Sequence, residues 1–107
     1  MYAHEKAALQ RISASLRERY PEDILSVYAF GSRARGDHGA RSDFDVLVIV
    51  RERSLAVEEA VIEAFVDAER QSGLSFDPVI KPLRSFELEK RHHTPFFQNI
   101  EQEGIPV

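Results

Sequence analysis

The chain has no cysteine among its 107 residues. That excludes a disulfide scaffold and any metal site built on thiolates. It has no apolar run approaching the ~20 residues that a membrane-spanning helix needs. The opening residues, MYAHEKAALQR, lack the apolar centre of a signal peptide. The expectation is therefore a cytoplasmic protein with no membrane partner. No repeat, low-complexity tract or linker divides the sequence, which predicts one domain over residues 1–107. There is no basic excess either. The formal charge of −4 argues against direct, general binding of nucleic acid. What is there suits a globular domain: 43% of residues are apolar, and a chain of this length buries roughly two-thirds of its unfolded surface.

The pattern of elements is readable. Residues 3–19 predict an amphipathic helix with Leu9, Ile12 and Leu16 on one stripe and Pro21 beyond its end. Apolar runs at 24–30 (ILSVYAF) and 43–50 (DFDVLVIV) predict strands. Residues 54–72 predict a second helix, with Ser54 as N-cap and Gly73 as its stop. Its core stripe is Val57, Val61, Phe65 and Ala68, with Leu55 and Ile62 beside it. A third strand is expected at 74–80, and Ser85 opens a short helix over 86–91. Thr94-Pro95 begins a last helix that Gly104 closes, since proline suits the first helical position. The order α-β-β-α-β-α predicts an α/β (α+β) domain, a small mixed sheet flanked by helices.

The chemistry concentrates where the first strand ends and the second begins. Gly31-Ser32 ends the first apolar run, and ten residues later comes Asp43-Phe44-Asp45. Ser32 is a candidate helix N-cap, and the free amides of such a start offer a site for phosphate. Asp43 and Asp45 project from one face of a strand, because side chains alternate. Two carboxylates so close are costly to bury unless something positive lies between them. A divalent metal carrying a triphosphate suits them, because Mg²⁺ takes a few carboxylates plus phosphate oxygens. In the third strand Asp77 points with Ser75 and Val79, away from Leu74 and Phe76. If that strand lies beside the second, Asp77 joins the pair. Pro78 removes a ladder donor, so the strand should be an edge, bulged there, or end there.

The string GSRARGDHGARSDFDVLVIV resembles the signature of the DNA polymerase β-type nucleotidyltransferase superfamily. The whole chain, through its Glu103-Gly104-Ile105 end, is similar to the minimal nucleotidyltransferases, the antitoxin halves of HEPN–MNT toxin–antitoxin pairs. The resemblance implies a polymerase β-like fold and a Mg²⁺-dependent transfer of AMP from ATP. One or two Mg²⁺ ions would be held by Asp43, Asp45 and Asp77, the catalytic acids. Gly31 and Ser32 would cradle the triphosphate, with Arg33 and Arg35 beside them to hold it or an acidic partner. The implied acceptor is a tyrosine hydroxyl of a HEPN-domain ribonuclease toxin. Two alternatives stay open: an antitoxin that neutralises the toxin by binding alone, and a transferase acting on a small molecule. The second is disfavoured because 107 residues leave no room for the helical domain that encloses such substrates in larger relatives.

Other candidates carry less. Arg41, Arg51 and Arg53 also flank the motif strands; Arg51 and Arg53 read as solvated. His38 lies in the loop between the motifs, and His92-His93 lacks a third ligand at zinc spacing. Phe96, Phe97 and Ile100 on the last helix are core or a partner-facing patch.

Overall fold

A computed structural model describes residues 1–36 and 43–107; Arg41 and His38 lie outside the described residues. The elements in chain order are α1 (Ala3–Arg19), β1 (Ile24–Phe30), α2 (Gly31–Arg35), β2 (Phe44–Val50), α3 (Leu55–Ser72), β3 (Phe76–Pro82), α4 (Leu83–His92), α5 (Pro95–Glu103) and β4 (Ile105–Pro106). The expected elements are present, with two helices after β3, and a one-turn helix after β1 and a two-residue strand at the end are added to them. The four strands form one mixed sheet in the order β3-β2-β1-β4. β1 runs antiparallel to β2 and β4, whereas β2 and β3 are parallel.

The sheet separates two apolar layers. On one face Val46, Val48, Val50, Phe44 and Phe76 pack against Leu9, Ile12 and Leu16 of α1 and Val57, Val61 and Phe65 of α3. On the other, Leu47, Ile49 and Val79 meet Phe86 of α4 and Phe96 and Ile100 of α5. β2 is apolar on both faces because helices cover both. Alternation along it therefore decides which face each carboxylate joins.

The helix signals work as physics says they should. The Ser54 hydroxyl accepts from the Val57 N–H, and Gly73 ends α3 in the left-handed region. The Thr94 hydroxyl accepts from the Phe97 N–H, with Pro95 at the first helical position.

Some boundaries move. Ser32 is not an N-cap: helix α2 begins at Gly31, with Phe30 in the cap position, so Ser32 lies within the first turn. β3 starts two residues later than the apolar run suggests. α4 opens directly from Pro82, three residues before the Ser85-led helix expected over 86–91. Proline fixes φ but presents no side-chain acceptor, so this start carries no hydroxyl signal in the sequence. Leu55 and Ile62 are not core: they are 72% and 49% exposed.

Pro78 sits inside β3, opposite Val46, and β3 is the sheet edge. The Phe44 N–H donates to the Ser75 carbonyl at 2.9 Å. Residues 75, 77 and 79 therefore direct their backbone groups toward β2, and Pro78 faces the open edge where no donor is required.

Candidate active site

Three neighbouring strand ends build the site. β1 ends at Phe30 and turns through Gly31, which takes φ +80°. Phe30 is the register partner of Asp45, and Asp45 is the register partner of Asp77. Asp43, just before β2, shares the parity of Asp45, Leu47 and Ile49. All three carboxylates therefore belong to the α4/α5 face, and the parallel pairing brings the third beside the second, as the sequence expectation required. Asp43 and Asp77 are exposed, and Asp45 is half-buried.

The approach of Gly31 to Asp45 is tight. A Cβ on Gly31 would collide with the Asp45 carboxylate, and the positive φ independently disfavours any side chain. The backbone of the turn thus lies directly against the acid that the motif singles out.

Among the described residues, every influence on Asp45 opposes its charge. Burial pushes the Asp45 carboxyl above the usual aspartate range, and the charges of Asp77 and Asp43 push it further in the same direction. A cation placed there would relieve both neighbours' repulsion. Among the described residues, no three acidic or histidine groups are drawn together as a ready-made metal cage. That is compatible with Mg²⁺, which commonly takes one or two carboxylates and completes its octahedron with phosphate oxygens and water. Hard oxygen donors, mutual repulsion and a close backbone turn fit that metal in kind.

The motif arginines have protein partners. The Arg33 Nη2 donates to the Glu5 Oε2 at 2.6 Å, and the guanidinium lies 4.3 Å from the centroid of the Phe44 ring. Arg35 pairs with Glu103 of α5 at 2.8 Å on the surface. Arg51 and Arg53 are exposed, as read; Arg51 donates to the Glu22 carbonyl at 2.7 Å, and Arg53 pairs with Glu58. His93 caps α4, and His92 is its last residue. Phe97 and Ile100 are buried, while Phe96 meets Phe30 edge-on at 5.5 Å.

Glu5 is the participant that sequence reading passed over. It is 3% exposed, an unusual burial for a carboxylate. Its place in the first turn of α1 was visible, but a partner 28 residues away was not.

Comparison with known proteins settles the family. The nucleotidyltransferase domain model matches residues 9–105. The chain belongs to the nucleotidyltransferase domain family. It is 32% identical over 96 residues to the "Putative protein adenylyltransferase MJ0141" of Methanocaldococcus jannaschii, a match covering 90% of this chain and 87% of that one. A solved structure described as a "putative minimal nucleotidyltransferase" shares 27% identity at a TM-score of 0.63, over 100% of this chain and 97% of that one. Two more distant structures share the fold. One is described as a "putative nucleotidyltransferase from Sulfolobus solfataricus", with 21% identity, TM-score 0.55 and coverage of 94% and 76%. The other is a toxin–antitoxin complex with AMP-PNP, with 18% identity, TM-score 0.55 and coverage of 90% and 69%. In this nucleotidyltransferase Gly31-Ser32 and Asp43-Phe44-Asp45 lie at the junction of β1, α2 and β2. None of its described helices is long and apolar enough to cross a membrane.

Proposed function

We propose that this nucleotidyltransferase transfers AMP from ATP to a hydroxyl of a protein, the acceptor being a tyrosine of a HEPN-domain toxin for which it is the antitoxin. The observation that carries the reading is the register pairing of Asp45 with Asp77 beside the Gly31 turn. It puts carboxylates and a close backbone approach at one sheet end. The relative named as a protein adenylyltransferase supports a protein acceptor. The fold shared with a toxin–antitoxin complex supports a toxin partner.

In this reading the Gly31 backbone approaches the triphosphate and the Ser32 hydroxyl donates to a phosphate oxygen. Asp43, Asp45 and Asp77 would hold Mg²⁺, which supplies charge neutralisation at the phosphates. The acceptor hydroxyl oxygen attacks the α-phosphorus and the bond to the bridging oxygen breaks. Pyrophosphate leaves, and the exposed Asp77 carboxylate accepts the hydroxyl proton.

The test is incubation of a purified HEPN toxin with the enzyme, ATP and Mg²⁺, followed by intact-mass measurement. The expected result is a mass gain of one or more AMP groups on the toxin and ribonuclease inactivity that persists after the enzyme is removed. An unmodified toxin that recovers activity on dissociation would replace transfer with neutralisation by binding.

A further inference from the structure

We propose that Glu5 is a positioning residue of the nucleotide site, acting through Arg33 and Phe44 to hold the Gly31–Ser32 turn against the acidic strand. The proposal rests on the reading of that turn as the nucleotide-binding element. Its structural basis stands apart from that reading.

Glu5 is buried at the start of α1. One carboxylate oxygen accepts from the Tyr2 N–H at 2.8 Å, the other from Arg33 Nη2 at 2.6 Å. The pair is enclosed, with side chains 4% and 11% exposed. Arg33 follows Gly31 and Ser32 on the same helical turn, and its guanidinium lies over the Phe44 ring at 4.3 Å. Phe44 is the residue between Asp43 and Asp45, and it is fully buried. One guanidinium therefore joins three pieces of chain: the first turn of α1, the motif turn, and the start of the acidic strand.

The direction of these contacts decides the role of Arg33. Phe44 packs into the α1/α3 layer, while Asp45 belongs to the opposite face. A guanidinium seated on Phe44 and bonded to α1 is therefore committed to the layer behind the carboxylates. The contact it secures is demanding, because the Gly31 backbone leaves no room for a methyl group beside Asp45. An apolar contact would hold α2 near β2. A charge-assisted hydrogen bond also fixes its direction. The low pKa of Glu5 agrees with an ionised partner: burial pushes its carboxyl up, but the Tyr2 N–H and the Arg33 charge hold it below the usual range.

The experiment compares wild type with Glu5→Gln, Arg33→Ala and Phe44→Leu by two readouts at a temperature where each is folded. The first is hydrogen–deuterium exchange without nucleotide. The peptide spanning residues 30–36 should exchange faster in all three variants, by a larger factor than the peptide spanning 46–50, which follows the change in global stability. The second is calorimetric affinity for Mg²⁺–AMP-PNP, which should fall in all three by roughly tenfold, the usual scale for losing a group that orients a ligand-binding one. The Glu5→Gln/Arg33→Ala double variant should lose no more than the worse single one. Two results would overturn the proposal. One is equal acceleration of both peptides, which marks general destabilisation. The other is an affinity loss confined to Arg33→Ala, which makes Arg33 a direct phosphate ligand. Failure of the wild type to bind Mg²⁺–AMP-PNP would instead count against the nucleotide reading, and the exchange readout would still decide whether Glu5 braces the turn.

Discussion

Asp45 of β2 and Asp77 of β3 stand as register partners on adjacent parallel strands, 32 positions apart in sequence and side by side in the sheet. Nothing among the described contacts neutralises Asp45, so burial and the Asp77 charge raise the cost of ionising it.

The first prediction concerns stability. A carboxyl whose folded pKa is raised contributes stability that is fully present below the unfolded value and is lost as pH rises through the folded value. Asp45→Asn should therefore raise the thermal midpoint of the metal-free protein at neutral pH. The gain should shrink to nothing as pH drops below the ordinary aspartate range. Thermal melts from pH 3 to 8 check it; a variant less stable at pH 7 would contradict the repulsion.

The same variant should be nearly inactive. Losing a ligand of a charge-neutralising metal removes several kcal/mol of transition-state stabilisation, which is at least about a hundredfold in rate. Asp77→Asn should depress turnover more than nucleotide affinity, since Asp77 is exposed on the acceptor side of the reading. Steady-state kinetics separates the two effects.

Mg²⁺ binding should release protons over the pH range in which Asp45 is still partly protonated, a range that burial and the charges of Asp77 and Asp43 shift upward, because the cation must displace those protons. Calorimetry in two buffers of different ionisation enthalpy should give different apparent enthalpies for wild type. The same value in both buffers for Asp45→Asn would locate the released proton on Asp45.

Gly31→Ala should be worse than its one methyl suggests. It needs a left-handed residue and a shift of the Asp45 carboxylate, so about 1 kcal/mol or more of stability should be lost in denaturant titration. Ser32→Ala should leave stability near wild type and weaken nucleotide binding by about 1–2 kcal/mol.

Glu5→Gln should cost about 1–3 kcal/mol at pH 7, because it removes the ionised carboxylate that accepts from Arg33 Nη2. Here the sign is opposite to that of Asp45. The Glu5 carboxyl is held low, so its contribution is present above the unfolded value and fades as pH falls through the folded one. The gap between wild type and variant should narrow in acid.

How much was legible follows from the range of the forces involved. Helix α1, strand β1 and the caps Ser54, Gly73 and Thr94 could be read directly, because period, capping and glycine conformation act within a few residues. The GS and DxD motifs were visible for the same reason. The start of α4 at Pro82 gave no such sign, and the outward turn of Leu55 was hidden because an apolar side chain does not reveal which helix face lacks a neighbour.

The sequence by itself determined that acids sit on one strand face, that a glycine turn precedes them, and that the chain resembles a nucleotidyltransferase. Only the tertiary structure decided that Asp77 stands beside Asp45, and that Arg33 is engaged by Glu5 behind the acidic strand. Strand order and parallel pairing place residues 32 positions apart at one spacing, and a buried charge selects its partner by proximity in space. Neither quantity is carried by local pattern.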